Sequence, residues 1–227
     1  APKIIRMQYK SILEKAVKKA GDELLRYSNS RFNIHEKEGN GYVTEADRAS
    51  ENIILEELAR HFDYDIYAEE TGRKNNKSEY CWIIDPLDGT TNFSMGMPLY
   101  CISIGLFKNN KPIAGIVYQP ATEDLYYTEL GKGAWLNDKQ MQPSQNRDIA
   151  ISIDKGYGSV NHGVYMQSLD AVYDVVSEIR TLGASALELA WMTKGSFCGF
   201  IAYGDALYDV AAGLAIAAEL GYSITNW

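Results

Sequence analysis

The chain has 227 residues, 46% of them apolar and 23% charged, with 30 acidic against 22 basic side chains and a formal charge of −8. That length allows one large domain or two small ones with a substantial core. The acidic balance argues against DNA or anionic membrane as partners, and no apolar run reaches the ~18 residues of a membrane span.

The start, Ala1-Pro2-Lys3-Ile4-Ile5-Arg6, lacks the long apolar stretch of a secretory signal. Cys81, Cys101 and Cys198 are odd in number, far apart and without CxxC spacing, which speaks against a disulfide framework or a zinc site. Buried free thiols in a reducing compartment follow, and with them a cytoplasmic location.

In chain order, Ile5, Ile12, Leu13, Ala16, Val17, Ala20, Leu24 and Leu25 share one helical face over residues 4–27. A polar stretch from Asn33 to Gly41 follows, then a second amphipathic helix from about Glu45 to His61 with Thr44 or Asp47 near its start. Residues 65–68 and 80–84 are short apolar strands that end in acids, separated by a charged loop from Gly72 to Glu79. Leu99–Phe107, Pro112–Gln119 and Asp124–Glu129 complete a meander of antiparallel strands, with turns at Asn109-Asn110 and Pro120-Ala121. Helices are expected over Val164–Ile179, Ala184–Lys194 and Ala206–Leu220, with a short strand at Phe197–Ala202. The pattern predicts an α+β arrangement of layered helices and sheets rather than a regular parallel βαβ fold. No linker demands a boundary, so residues 1–227 are read as a single domain.

Chemistry concentrates in Trp82-Ile83-Ile84-Asp85-Pro86-Leu87-Asp88-Gly89-Thr90-Thr91-Asn92-Phe93. A buried strand delivers Asp85, Pro86 fixes the turn, and Asp88 follows three residues later. Both carboxylates can then converge with the Leu87 carbonyl between them, a set of hard oxygens that suits Mg²⁺. Gly89-Thr90-Thr91 permits close backbone approach, and its amides can open a helix whose N-terminus holds phosphate. A bare D-x-x-D-G is better explained by a capped type I turn; the full string is far more specific, and there the functional reading wins.

Three further segments add acids. Ala68-Glu69-Glu70-Thr71-Gly72 closes a strand next to the one leading to Asp85, so Glu69 can join the same ions, although a solvated loop start explains the pair too. In Tyr42-Val43-Thr44-Glu45-Ala46-Asp47, helix capping accounts for Thr44 and Asp47 without catalysis. In Leu207-Tyr208-Asp209-Val210-Ala211-Ala212-Gly213, Asp209 near a helix start can be a dipole-compensating acid. The small residues after it let another element pack very close.

Together these segments, in this order and approximate spacing, resemble the inositol monophosphatase family from the first helix to the last residue. The resemblance implies a layered α-β-α-β-α sandwich of the sugar phosphatase type, its sheet largely antiparallel in the first half. It implies Glu69, Asp85 and the Leu87 carbonyl on one Mg²⁺, and Asp85, Asp88 and Asp209 on a second. A third, weaker ion would lie near Glu69. Asp47 and Thr90, with Glu69, would prepare the attacking water; Gly89 and Thr90 amides would take the phosphate, and Lys37 would stand at the rim. Gly183 and Ser185, in Arg180-Thr181-Leu182-Gly183-Ala184-Ser185-Ala186, are candidate substrate contacts beside Asp209. Phosphoryl transfer needs mainly positioning and charge neutralisation, and paired metals supply both, so no Ser/His or Cys/His nucleophile is required.

The implied activity is hydrolysis of a small phosphate monoester, inositol monophosphate first, by a Li⁺-sensitive cytoplasmic homodimer. Fructose 1,6-bisphosphate, NADP or nucleotide bisphosphates on the same scaffold, or a non-catalytic regulatory role, are the alternatives. Tyr208 replaces the family's usual Trp, and Ala202 stands where inositol-selective members carry a Glu that contacts sugar hydroxyls. That contact is missing or supplied elsewhere; Asp205 can substitute, or be a turn or cap residue. Against relatives, the stretch after Gly221-Tyr222-Ser223-Ile224-Thr225 and the region between Asn146 and Tyr173 are short.

Overall fold

The computed structural model describes residues 8–28, 34–37, 41–144, 149–155 and 162–225, with side chains left out at 34–37 and 41–43. The first turn of the expected N-terminal helix, including Ile5, and the residue Asn146 lie outside the described residues.

Helix α1 (Lys10–Ser28) buries Leu13, Ala16, Val17, Ala20 and Leu24, as its apolar spacing requires. Strands β1 (Ile34–Lys37) and β2 (Gly41–Thr44) form an antiparallel hairpin across the stretch expected to be polar, Asn33 to Gly41, and the three residues after it. Helix α2 (Glu45–Ala59) opens on a capping box: the Thr44 hydroxyl accepts the Ala46 amide, and an Asp47 oxygen accepts the Thr44 amide. The two helices cover one face of the main sheet.

That sheet has eight strands in the order β10-β9-β8-β7-β6-β5-β3-β4, formed by β3 (Asp65–Ala68), β4 (Gly72–Lys74), β5 (Tyr80–Asp88), β6 (Cys101–Lys108), β7 (Lys111–Gln119), β8 (Asp124–Glu129), β9 (Ala134–Leu136) and β10 (Lys139–Gln140). All neighbours are antiparallel except β3 and β5, which run parallel with Ala68 beside Ile84. The expected meander is therefore corrected at one pair. The charged loop after Glu70 supplies β4.

Short helix α3 (Thr90–Ser94) follows β5. A second sheet of three parallel strands, β12-β11-β13, is built from β11 (Ala150–Asp154), β12 (Glu178–Arg180) and β13 (Gly199–Ala202). Helix α4 (His162–Tyr173) ends before Asp174, so the helix expected to Ile179 is shorter, and its last residues pair with β11 instead. Between the two sheets lie α5 (Ser185–Thr193) and α6 (Leu207–Glu219). On the outer side, α4 meets the end of β13 through Tyr165 and Ser168 against Tyr203. The order of layers is α-β-α-β-α.

Glycine lets α6 come down onto the main sheet. A Cβ at Gly105 would lie 2.9 Å from Ala211 Cβ, and one at Gly115 would lie 2.7 Å from the Ala212 carbonyl oxygen. On the far side of α6, a Cβ at Gly213 would strike Leu189. The run Ala211-Ala212-Gly213 thus serves the close packing its small side chains suggest, and it fixes Asp209, two residues earlier, over the end of β5. Cys101 is buried, but Cys81 is half-buried and Cys198, leading into edge strand β13, is exposed. That corrects the expectation of three core thiols.

Candidate metal and phosphate site

The register of β5 against β6 slips between Asp85 and Asp88, placing Pro86 and Leu87 in a bulge. Pro has no amide to give a ladder, so a bulge is where a strand tolerates it. The freed Pro86 carbonyl accepts the Ser50 hydroxyl at 2.7 Å. The Leu87 amide turns back to Asp85 Oδ1 at 3.0 Å. Asp85 and Asp88 flank this kink, both buried, and the charge of Asp88 reaches Asp85. Next comes Gly89 at φ +83°, where a Cβ would stand 2.6 Å from the Leu99 carbonyl oxygen and 3.1 Å from Ala184 Cβ. Both the backbone and the space demand glycine.

Thr90 ties this turn to α2. Its hydroxyl stands 2.9 Å from Asp47 Oδ1 and 3.0 Å from the Leu87 carbonyl oxygen, so its single proton can serve either acceptor. Asp47 is fully buried; its second oxygen accepts from the Thr44 amide at 2.7 Å and the Thr44 hydroxyl at 2.6 Å. Capping and site-building are thus done by one residue. Burial pushes the Asp47 carboxyl up, and its Thr44 and Thr90 hydrogen bonds pull it back. The Lys37 side chain, and those of Tyr42 and Val43, lie outside the described residues.

Glu69 follows β3 and its amide donates to the Ile84 carbonyl at 3.1 Å, which sets it beside Asp85 across the parallel pair. Asp209, in the first turn of α6, accepts the Ala206 amide at 2.6 Å. Asp88 Oδ2 accepts the Leu187 amide from the first turn of α5 at 3.0 Å and a weak Cys101 thiol contact at 3.4 Å. Acids from β5, β3 and α6 therefore share one neighbourhood.

Their charges feel one another. Burial first, then the charges of Glu69, Asp88 and Asp209, raise the Asp85 carboxyl well above the usual carboxylate range. Burial likewise raises Asp88, with Asp209 and Asp154 adding to it. Asp209 is pushed up to about 8 by burial, Asp205, Glu69 and Asp154. Among the described residues no Lys or Arg pairs with Asp85, Asp88 or Asp209. As the side chains stand, however, no three His, Cys, Asp or Glu among the described residues close tightly enough to hold an ion. Asp85, Asp88 and Asp209 each turn one oxygen to a protein amide, which spreads the set. The donor chemistry still fits a divalent cation: acceptor-only oxygens, mutually repelling, with no Lys or Arg among the described residues paired to balance them.

The loop before α5 lies directly against this turn. Gly183 adopts φ +73°, and Asn92 Nδ2 donates to the carbonyls of Leu99 at 2.9 Å and Leu182 at 2.7 Å, with Gly183 at 3.3 Å. Ser185 is buried at the head of α5. Asp205 is not a cap: neither of its buried oxygens meets a donor in hydrogen-bond geometry among the described residues, and Asp209 itself caps α6. Burial raises Asp205 to about 6, eased by the neighbouring Ser185 hydroxyl.

Two acids escape a reading of local pattern. Asp154 ends β11 and pairs in register with Ala202 on β13, so its side chain leaves the same face as position 202. Glu188, fully buried on α5, is raised to about 8 by burial and the charge of Asp154. For Asp154 the signal was present, an alternating Ile151-Ser152-Ile153-Asp154 that ends in an acid like the other two strands.

Fold and site together are those of a phosphoric monoester hydrolase. Residues 6–227 match the inositol monophosphatase family, and the chain belongs to it. An inositol-1-monophosphatase of Mesorhizobium japonicum is 37% identical over 95% of this chain and 84% of its own length. A fructose-1,6-bisphosphatase/inositol-1-monophosphatase of Aquifex aeolicus is 33% identical over 89% of this chain and 80% of its own. Among solved structures, the extragenic suppressor protein suhB of Bartonella henselae superposes with a TM-score of 0.89 at 33% identity, over 95% of this chain and 86% of that one.

Proposed function

We propose that this chain hydrolyses a small polyol phosphate, inositol monophosphate foremost, with two or three Mg²⁺ held by Glu69, Asp85, the Leu87 carbonyl, Asp88 and Asp209. The observation that carries the reading is the group of carboxylates, raised by burial and by one another's charge, beside a glycine turn. When bound, the ions would supply the positive charge that makes a water nucleophilic at neutral pH and offsets charge on the phosphate.

The chain's own residues supply placement. Asp47 and Thr90 form a hydrogen-bonded pair that can accept and pass a proton from an attacking water, with Glu69 beside them. The Gly89 and Thr90 amides, at the head of α3, receive phosphate oxygens. Gly183 and Ser185 face the alcohol portion, next to Asp209. Asp154, in register with Ala202, supplies an acid for substrate hydroxyls at the place where position 202 has none. A fructose 1,6-bisphosphatase reading shares this machinery. Ala202 favours considering it, because the residue lacks a hydroxyl-binding group of its own.

The homodimeric state and Li⁺ inhibition are proposed with the same reading. So is a cytoplasmic location, supported by three free cysteines and by the absence, among the described residues, of a helix long and apolar enough to cross a membrane. Turnover of inositol 1-phosphate, fructose 1,6-bisphosphate, NADP and adenosine 3′,5′-bisphosphate, each with and without Mg²⁺, tests the proposal. Inositol 1-phosphate should lead, and only with Mg²⁺. No phosphate release from any of the four would refute it.

A further inference from the structure

Two buried glutamates outside the carboxylate group hold the loops on its flanks. Glu51, on α2, is 1% exposed; its Oε2 accepts the Glu70 amide at 2.9 Å and its Oε1 the Thr71 amide at 2.9 Å. Those amides belong to the turn that follows Glu69. Glu188, on α5, takes the Leu182 amide at 3.0 Å and the Ala184 amide at 3.3 Å on the same oxygen, Oε1. Its Oε2 meets the Ser152 hydroxyl of β11. From the opposite side, Asn92 holds the carbonyls of Leu182 and Gly183.

We infer that Glu51 and Glu188 are positioning residues with separate duties: Glu51 fixes the turn carrying Glu69 and so sets metal affinity, while Glu188, with Asn92, fixes loop 182–185 and so sets how the substrate's alcohol portion is received. The inference rests on the proposed reading of the site. The partners of both glutamates are groups of the chain itself, and neither is among the residues proposed to hold substrate or ion. Each replaces the water that a loop amide would otherwise need, and leaving such an amide unsatisfied in the interior is costly.

The geometry makes an asymmetric forecast. A glutamine has one acceptor oxygen and one NH₂ group. At position 51 the two amides use two different oxygens, so a glutamine must turn NH₂ toward an N–H and lose one bond. At position 188 the Leu182 and Ala184 amides use one oxygen, the Gly183 amide between them is also turned to the carboxyl, and the second oxygen faces a hydroxyl that can accept as readily as donate. Glutamine is therefore a replacement at 188 and not at 51.

The test compares E51Q, E188Q and E188M with the wild-type chain. Mn²⁺ binding is followed by electron paramagnetic resonance without substrate, KM and kcat for inositol 1-phosphate at saturating Mg²⁺, and Tm throughout. E51Q should bind Mn²⁺ at least ~10-fold more weakly, the usual cost of losing a group that orients a ligand, with KM nearly unchanged. E188Q should match wild type in both readouts. E188M should raise KM by about tenfold through a misplaced loop, with Mn²⁺ affinity kept. Wild-type Mn²⁺ affinity in E51Q, or E188Q falling together with E188M, overturns the inference. If E51Q does not fold, amide hydrogen exchange on the wild type decides: protection at Glu70, Thr71, Leu182 and Ala184 supports the braces, and rapid exchange there removes them. A wild-type chain that neither binds Mn²⁺ nor releases phosphate defeats the proposed function itself, whereas a working enzyme with indifferent variants defeats only the braces.

Discussion

Two kinds of acid occupy this molecule, and they differ in the donors that surround them. Glu51, Glu129 and Glu219 each accept two backbone amides: those of Glu70 and Thr71, of Gln8 and Tyr9, and of Gly131 and Gly133. Glu57 instead draws Lys15 to 2.5 Å and Lys19 to 2.9 Å, which lowers its carboxyl to about 2. Among the described residues Asp85, Asp88 and Asp209 have one amide each, Asp88 adding only the weak Cys101 thiol contact, and otherwise face one another's charge. The same side-chain chemistry holds a loop where donors are plentiful. Where they are scarce, the charge is left for something from outside the chain to balance.

The largest effect should come from removing a charge at the scarce end. Asp85→Asn or Asp209→Asn should lower phosphate release at least ~100-fold, as loss of a metal ligand commonly does. Wild-type rates at saturating Mg²⁺ would take these residues out of the chemistry. Gly89→Ala should follow, because a Cβ at φ +83° meets the Leu99 carbonyl oxygen at 2.6 Å. Strain of that kind costs about 1–3 kcal/mol, so both Tm and turnover should fall; an unchanged Tm would mean the turn is less crowded than described.

Asp154→Asn should have a milder and more selective effect. If Asp154 serves substrate hydroxyls, KM for inositol 1-phosphate should rise about tenfold, near the worth of a hydrogen bond to a charged group. KM for a hydroxyl-free ester such as phenyl phosphate should stay put. Equal losses on both esters would move Asp154 from specificity to general support of the site.

The smallest effect is on stability against pH. Asp205, Asp209 and Glu188 have folded values of about 6, 8 and 8, above their ordinary values. The folded chain therefore binds more protons than the unfolded one between about pH 4 and pH 8, and without divalent ions its stability should fall as pH rises through that window. Mg²⁺ should raise Tm more at pH 8 than at pH 6, since protons and ions compete for the same oxygens. A Tm that climbs with pH in chelator would contradict the assignment of these acids.

What could be read from the sequence was whatever short range determines. The strand into Asp85, the turn at Gly89, the cap at Thr44 and the close-packing run after Asp209 all depend on neighbours a few residues away. So did the placing of Glu69 at an adjacent strand end, although the parallel sense of β3 against β5 did not follow from apolar alternation. The hairpin of β1 and β2 was hidden because each strand has only four residues and β1 is polar after Ile34. Residues 174–179 fit a helix by spacing, but β11 offers a pairing partner and tertiary contact overrides the local preference. Glu188 stayed invisible because its partners, Ser152 and Leu182, come from different elements and only the packed fold joins them.

Crystals of the wild-type chain soaked in Mn²⁺ bear most directly on the central claim. Anomalous density within bonding distance of Glu69, Asp85, Asp88 and Asp209 is the predicted result. Clean anomalous maps with no peak among those four carboxylates, at Mn²⁺ concentrations that support turnover, would contradict it.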